Sequence, residues 1–309
     1  YVLERFFFFF RDGKIDDSTD FDKKADEYFY AAVKENEFDV LLEKPDTGRL
    51  LMRVKAEGAR LIKDLYKVQK RSKFRPCFLE AKIGEGKILP VSLDIGERKI
   101  GLKGTIDRVD VLDDKFIVID YKTYKSADLS LKELYAGQKI QLYVYMRAVE
   151  KSISAKPCGV FYFPIFSSFT DDVADRYKYK GQAGNSMETL CQIDDMVKTD
   201  PEKSVLPYKV DKQGNFNESV HLSTKAFDTL GDYAIEIATQ GAKEIADGFI
   251  RPTPLYGKCD KCDFAAICAY KGMNERKLPK VSDTSVFELD KESGEQNAKE
   301  KGGDTTAEN

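Results

Sequence analysis

The stretch Gly104-Thr-Ile-Asp-Arg-Val-Asp110, followed after a short gap by Phe116-Ile-Val-Ile-Asp-Tyr-Lys122, decides how this chain is expected to fold. Apolar residues recur along both runs as in partly buried strands, and the acidic pair at positions 113 and 114 predicts a hairpin turn between them. Asp107 interrupts the first strand. Asp120 and Lys122 lie two residues apart on the second strand, so their side chains leave the same face. If the two strands pair, the carboxylates of Asp107 and Asp120 converge.

Three carboxylates and one ammonium group come together in this interpretation once Glu80, on an earlier predicted strand, is added. Carboxylate oxygens are the ligands that Mg²⁺ and Mn²⁺ prefer, and such ions polarise a phosphate and activate water. An adjacent lysine such as Lys122 can orient or deprotonate that water. An isolated Asp-x-Lys is more often a pair of ordinary edge-strand charges, so the wider context matters. The set predicts phosphodiester hydrolysis, with Glu80, Asp107, Asp120 and Lys122 as catalytic residues.

A predicted helix over residues 134–150 follows the carboxylate strands and supplies part of that context. It carries Gln138, Gln141 and Tyr145. Gln141 and Tyr145 are four residues apart and therefore share one helix face. Polar side chains aimed along the same face as a carboxylate cluster are suited to gripping a DNA backbone. We therefore interpret these three residues as DNA-positioning groups.

The rest of the chain predicts an α/β fold, in which a mixed central sheet is flanked by helices. Apolar residues at three- and four-residue spacing predict helices over 21–35, 50–70 and 223–247. Strand-like runs cover residues 77–83, 88–93, 100–111, 116–121 and 158–165. The expected organisation is a helical lead-in (1–75), a catalytic core (76–166), an irregular insertion (167–222), a C-terminal helix with a cysteine cluster packed on the core (223–283) and a disordered tail (284–309).

Composition narrows the class of protein without identifying it. The chain has 309 residues, of which 42% are hydrophobic, and no apolar run is long enough to span a bilayer. The apolar block at residues 6–10 lacks the features of a signal peptide, and we expect a soluble, cytoplasmic protein. The net charge of −3 gives no overall basic signature, so any positive field for nucleic acid must be local or supplied by a partner. No P-loop motif occurs, so an ATP-driven helicase would be a partner.

Three clustered cysteines form the second distinctive motif, C-x2-C-x5-C at Cys259, Cys262 and Cys268. Thiolates at this spacing can close on one metal ion or cluster, but zinc and [4Fe–4S] both require four ligands. The single histidine, His221, is interpreted as a loop or surface residue and not as the missing ligand. Three free thiols in a turn remain the alternative.

The order of these motifs resembles one nuclease family. Glu80, then G-T-I-D-R-V-D, then I-D-Y-K, then Q-L-Y-V-Y is similar to the RecB-type branch of the PD-(D/E)XK nucleases, and within it to the nuclease domains of the AddB family. The similarity continues through residues 157–163, 206–214 and 245–252 and ends near residue 280. It implies that Glu80, Asp107 and Asp120, with the main-chain carbonyl of Tyr121, bind Mg²⁺ or Mn²⁺. Lys122 would be the catalytic lysine, and Gln141 and Tyr145 would position the DNA.

The resemblance also implies a [4Fe–4S] cluster on Cys259, Cys262 and Cys268, with a fourth ligand upstream of the nuclease motifs. The opening Tyr1-Val-Leu-Glu-Arg-Phe resembles the sequence just after the family's upstream metal-binding histidine, so we expect a fragment without that histidine and the first cysteine. Its cluster would then be absent or incomplete.

The implied setting is double-strand-break repair in bacteria. There an exonuclease trims single-stranded DNA ends produced by an AddA-like helicase/nuclease partner. Two alternatives stay open: a free-standing Cas4-like exonuclease, and a catalytically weak DNA-binding scaffold. The scaffold predicts damaged ligands, whereas Asp107, Asp120 and Lys122 are intact.

Overall fold

A computed structural model describes residues 1–123, 129–165, 176–268, 270, 272, 275–277, 280–281 and 284–287. The helices are α1 (Val2–Arg11), α2 (Phe21–Glu35), α3 (Asp39–Glu43), α4 (Pro45–Arg71), α5 (Leu131–Tyr135), α6 (Gln141–Ser152), α7 (Met187–Ile193), α8 (Met196–Thr199), α9 (Thr224–Ala246) and α10 (Ala265–Cys268). The strands are β1 (Arg75–Lys82), β2 (Val91–Asp94), β3 (Lys99–Leu102), β4 (Thr105–Leu112), β5 (Lys115–Lys122), β6 (Lys156–Pro164), β7 (Lys180–Gly184) and β8 (His221–Leu222). Short 3₁₀ turns cover Pro201–Lys203, Cys259–Lys261 and Ser285–Phe287.

The main sheet is mixed and has the strand order β1-β4-β5-β6-β7-β8. Strands β5 and β6 are parallel, as are β7 and β8, and the other neighbouring pairs are antiparallel. A parallel pair needs a crossover connection, which here contains α5 and α6. Strands β2 and β3 form a separate antiparallel pair. The predicted fold class, a mixed sheet with helical cover, is confirmed.

The hairpin β4–β5 forms as the sequence predicts. Its two-residue turn lies between Leu112 and Lys115, which pair with each other. Asp113 adopts a φ of 51°, a left-handed conformation that aspartate tolerates better than most residues and that tight hairpin turns require. The turn therefore fixes the register that brings the two carboxylate strands side by side.

Helices cover the sheet on both faces, and each face has its own apolar core. Helices α6 and α9 pack on one face, where Val109, Val118 and Met146 are buried. Helices α1 and α4 contribute to the other core, which contains Phe7 and Ile119. Because both faces are covered, β5 is buried from Phe116 to Asp120 without the alternation of a half-exposed strand. No helix among the described residues is long and apolar enough to cross a membrane.

The segment interpreted as an irregular insertion contains two strands of the main sheet, β7 and β8. Strand β7 reads Lys-Gly-Gln-Ala-Gly and has none of the β-branched or aromatic residues that announce a strand. A Cβ on Gly181 would lie 2.0 Å from the carbonyl oxygen of Val160, so glycine is required where β7 approaches β6. The close strand pairing explains the composition that sequence analysis took for a loop.

Two other predicted elements are divided in the structure. The helix expected over 134–150 is split into α5 and α6 by a turn in which Gly137 has a φ of 78°. The strand expected over 100–111 is split into β3 and β4. The predicted disordered tail, 284–309, begins too early, because Phe287 is buried and its ring packs against Tyr135 and Tyr233. Residues 288–309 of that tail lie outside the described part of the chain.

Candidate active site

Asp107, Asp120 and Lys122 lie together near one end of the β4–β5 hairpin. The register pairs Arg108 with Ile119, so Asp107 and Asp120 are the next residues on their strands. Asp107 Oδ2 accepts a hydrogen bond from the main-chain N–H of Tyr121 at 2.6 Å. Asp120 Oδ2 lies 2.5 Å from Lys122 Nζ. The structure therefore brings together the two carboxylates and the ammonium group that the sequence singled out.

Helix α6 adds an amide to this group through its first residue, Gln141. The amide nitrogen donates to Asp120 Oδ1 at 3.2 Å and to the Tyr145 hydroxyl at 2.9 Å. Lys122 Nζ donates to the amide oxygen at 3.3 Å. Gln141 thus links a carboxylate, the lysine and the tyrosine in one network, and the shared helix face expected from the four-residue spacing is present.

Gly104, the first residue of the G-T-I-D motif, makes room for the tyrosine. A Cβ at this position would lie 3.3 Å from Tyr145 Cε1 and 3.6 Å from its hydroxyl oxygen. Few real Cβ atoms are packed so tightly, so a larger residue would displace the ring from Gln141. The glycine in the motif is explained by this contact.

Glu80 lies opposite Asp107 on the neighbouring strand. The pairs on either side, Leu79 with Arg108 and Ala81 with Ile106, set this alignment between β1 and β4. Glu80 has a φ of 47°, a left-handed conformation that costs a non-glycine residue of order 1–3 kcal/mol. Such strain at an acidic residue beside two other carboxylates is typical of a functional site.

The electrostatics of the three carboxyl groups show that they are poorly neutralised. Partial burial and then the charge of Asp107 raise the pKa of Glu80 to about 7. Burial raises the pKa of Asp107 to about 6, although the Tyr121 N–H partly opposes the shift. Burial also raises the pKa of Asp120, with Lys122 acting in the opposite direction. A cluster of desolvated acids close to one lysine would gain from a bound cation.

The carboxylates fit Mg²⁺ or Mn²⁺ on condition that water and substrate phosphate complete the coordination shell of the ion. Within the described residues, no three histidine, cysteine or acidic side chains lie close enough to enclose a metal ion by themselves. Mg²⁺ usually binds through one or two carboxylates and completes its shell with water and substrate phosphate. Asp120 Oδ2 is buried and forms an ion pair with Lys122, but it accepts no well-aligned hydrogen bond from the described residues. Asp107 and Asp120 are therefore suitable ligands for an ion that shares its shell with substrate.

Two sequence interpretations need correction. Gln138 does not lie on the helix that carries Gln141, because α6 begins at Gln141; it is exposed in the preceding turn. His221 is not a loop or surface residue: it is buried in β8, and its Nε2 accepts from the main-chain N–H of Lys209 at 3.1 Å. Its other ring nitrogen lies 3.3 Å from the carbonyl oxygen of Gly184. His221 is a core histidine engaged with the backbone.

The cysteine cluster lies in the segment after α9. Cys259 begins the 3₁₀ turn, Cys262 follows it, and Cys268 ends α10; all three thiols are free. Partial burial raises the pKa of Cys259, and the charges of Glu275, Cys262 and Cys268 add to the effect. In the described part of the chain, the three thiols do not form a group that could enclose a metal ion by themselves. Cys262 and Cys268 are exposed, and the 3.9 Å ion pair between Lys258 and Glu133 connects this segment to α5.

Sequence analysis missed Tyr162, which contributes to the site from β6. It pairs with Asp120 across the parallel strands, and Lys122 Nζ lies 5.0 Å from the centre of its ring. A cation over an aromatic face is attracted by the ring. Tyr162 is the fifth residue of the apolar run 158–165, and the strand register that brings it to Lys122 cannot be read from such a run.

Comparisons with known proteins agree with this geometry. A family model described as the PD-(D/E)XK nuclease superfamily matches residues 2–269. A Clostridium tetani protein, named as one of the subunits of an ATP-dependent helicase/deoxyribonuclease, is 26% identical over 84% of this chain and 25% of its own length. Proteins of the same name are 29% identical in Alkaliphilus oremlandii, over 77% of this chain and 23% of the relative, and 30% identical in Clostridium kluyveri, over 71% and 22%.

The chain therefore spans about a quarter of the length of these curated relatives. The resemblance drawn from the order of the motifs is confirmed, because the matched residues include both carboxylate strands and the helix that carries Gln141. The chain belongs to the PD-(D/E)XK nuclease superfamily.

Proposed function

We propose that this chain is a Mg²⁺- or Mn²⁺-dependent deoxyribonuclease that hydrolyses phosphodiester bonds at single-stranded DNA ends. The observation that carries the proposal is the contact set around Asp120. Its Oδ2 lies 2.5 Å from Lys122 Nζ and its Oδ1 accepts from the Gln141 amide, while Asp107 lies on the adjacent strand. Family membership supports the reaction class, and the name of the relatives supports DNA as the substrate.

Each residue has a distinct task in this reaction. Asp107 and Asp120, with Glu80 and the Tyr121 carbonyl, would hold the metal ion, which when bound polarises the phosphate and lowers the pKa of water. Lys122 positions the attacking water and offsets negative charge that develops on the phosphate. Gln141 fixes Lys122 and Tyr145 relative to Asp120, so that the ammonium group needs little rearrangement during the reaction.

Because the net charge of −3 gives no overall basic signature, the positive field for DNA must be local, and three lysines beside β7 would contribute to it. Lys178, Lys180 and Lys209 line a cleft of about 370 Å³ beside β7. Lys180 pairs with Tyr162 across β6 and β7, and Tyr162 pairs with Asp120 across β5 and β6. The cleft is thus two strands away from the catalytic carboxylates, a suitable place for the phosphates of a strand that enters the site.

The wider setting is proposed from the relatives. Their name describes one subunit of a helicase/deoxyribonuclease and so implies a partner, and we propose an AddA-like helicase that delivers unwound DNA ends to this exonuclease in the bacterial cytoplasm. We also propose that Cys259, Cys262 and Cys268 hold three corners of a [4Fe–4S] cluster whose fourth ligand lies outside this chain. Iron analysis and the visible spectrum after anaerobic reconstitution would test the cluster. A protein that remains free of iron after reconstitution would contradict the proposed cluster.

The decisive experiment is cleavage of end-labelled single-stranded DNA in Mg²⁺ and in Mn²⁺. We expect the parent chain to cut and the Lys122→Ala and Asp107→Ala variants not to cut. Lys115→Ala is the matched control, because Lys115 lies on the same strand but donates to Thr189 and Gln192 at its other end. Cleavage that survives in Lys122→Ala would contradict the assigned site. A folded chain that binds DNA without cutting it would instead be a scaffold.

A further inference from the structure

A cavity of about 270 Å³ adjoins the proposed active site on the side of α1, α2 and α4. Glu80 of β1 and Tyr121 of β5 form one end of it. The rest of its lining comes from the three helices and from Ile165 just after β6: Tyr1, Val2, Leu3, Glu4, Ala25, Phe29, Val54, Lys55, Glu57, Gly58 and Leu61. We call this cavity the Gly58 pocket.

Apolar residues form much of the wall of the Gly58 pocket, and Glu4, Lys55, Glu57 and Glu80 are the charged residues in its lining. Leu3, Phe29 and Leu61 are buried apolar residues in the lining. Lys55 is held in an ion pair with Asp26 at 3.0 Å and is therefore already neutralised. The volume is slightly below the usual range for drug-sized ligands, so the cavity suits a flat group of one or two rings.

Gly58, in the lining of the pocket, has no packing reason to be glycine. It lies in the interior of α4, where glycine costs about 1 kcal/mol relative to alanine. A Cβ there would have one neighbour within 4 Å, Val2 Cγ1 at 3.9 Å, so nothing in the fold excludes a side chain. Gly48 of the same helix is different, because a Cβ there would lie 2.6 Å from the carbonyl oxygen of Leu42. A longer side chain at position 58 would extend into the pocket.

We infer that the Gly58 pocket receives one unpaired nucleobase of the DNA strand that is being cut. This inference rests on the proposed nuclease function and adds a subsite to it. A base is flat and uncharged, so the carboxylates of Glu4 and Glu57 do not repel it as they would a phosphate. Every base has an apolar π-face, which lets one pocket accept all four. A base held in Watson–Crick pairing cannot enter, so the pocket selects for single-stranded DNA next to the cleaved bond.

The direct test needs no variant of the pocket. The binding of a labelled single-stranded oligonucleotide to Lys122→Ala protein in Mg²⁺ is compared with the binding of a series in which one base at a time is missing. Loss of a stacked base costs about 1–3 kcal/mol, so we expect at least about fivefold weaker binding at one position near the scissile bond and smaller effects elsewhere. An equal response at every position would overturn the inference.

A pair of substitutions tests the location. Gly58→Leu should fill the pocket, weaken binding of the intact oligonucleotide about fivefold or more, and remove the difference between intact and base-deleted strands. Gly58→Ala is the matched control, because it adds one methyl group and should leave binding within twofold. Melting curves show whether both variants are folded. If Gly58→Leu is folded and binds like the parent, the pocket does not hold a base.

The outcomes separate this inference from the proposed function. If the parent chain cuts single-stranded DNA but the base-deletion series is flat, the nuclease assignment stands and the pocket inference fails. If the parent neither binds nor cuts, the proposed function fails and the pocket inference fails with it.

Discussion

The two faces of the β4–β5 hairpin differ in how well their buried carboxylates are neutralised. On one face Asp110 is buried and takes two hydrogen bonds from Arg108, which is also buried, donates to Gln69 and lies 3.7 Å over the ring of Phe7. On the other, Asp107, only three residues away, receives one main-chain N–H and faces the like charge of Asp120. One motif therefore supplies both a neutralised and an under-neutralised carboxylate.

This difference separates structural charge from functional charge. A buried ion pair with complete hydrogen bonding holds the strand against α1 and α4 and has no capacity left for a ligand. Desolvated carboxylates with raised pKa values would be stabilised by a cation, and such groups cluster at active sites. We therefore expect substitutions on the two faces to separate into effects on activity and effects on stability.

Asp120→Asn should give the largest effect, on activity alone. The substitution keeps the size of the side chain but removes the charge that pairs with Lys122 and would bind the metal ion. Cleavage of single-stranded DNA should fall by at least about 10³-fold, as expected when a charge-stabilising group is lost, while the free energy of unfolding changes by less than about 1 kcal/mol. Single-turnover cleavage and chemical denaturation measure the two quantities. A similar loss of activity that comes with unfolding would erase the distinction between the faces.

Arg108→Met should do the reverse. It leaves the Asp110 carboxylate buried without its partner, which costs about 3 kcal/mol or more of unfolding free energy. The double variant Arg108→Met/Asp110→Leu removes both charges and should recover most of that loss. Denaturation midpoints of the single and double variants provide the test. If the double variant is as unstable as the single one, the pair has a role that its charges do not explain.

Gln141→Ala should reduce the cleavage rate by about tenfold, because Lys122 and Tyr145 lose the amide that holds them beside Asp120. Tyr145→Phe is a useful comparison, since it removes one hydrogen bond and keeps the ring that packs near Gly104. We expect it to cost less than Gln141→Ala. Rates measured over a range of DNA concentrations would show whether the loss lies in the chemical step or in binding.

The hairpin and its carboxylates could be predicted because their signals are local. Alternating apolar residues, a two-residue acidic turn and the two-residue spacing of Asp120 and Lys122 set the strands and the shared face within a few residues. Tyr162 and β7 could not be predicted, because their places depend on strand pairing between distant segments. The pairing of Arg108 with Gln69 and Asp110 could not be predicted for the same reason. Arginine is usually exposed, so the sequence alone indicates a surface charge at position 108 and not a buried one facing α4.

The smallest effect that we predict is a pH-dependent difference in stability, and it compares Asp107 directly with Asp110. Burial raises the pKa of Asp107 to about 6, so in metal-free protein this residue favours the folded state at low pH, and that contribution is lost as the pH rises from about 4 through 6. Asp107→Asn has no charge to desolvate and still accepts from the Tyr121 N–H. The metal-free variant should therefore be more stable than the parent at pH 8, by about 1 kcal/mol after allowance for partial solvent exposure, and the difference should vanish near pH 4. Asp110→Asn, the control on the other face, should be less stable than the parent at pH 8, because it takes the opposite charge from the buried Arg108. Denaturation curves in EDTA at the two pH values measure both. If the difference in stability between the parent and Asp107→Asn is the same at pH 4 and pH 8, Asp107 is as well neutralised as Asp110. The contrast between the two faces would then disappear.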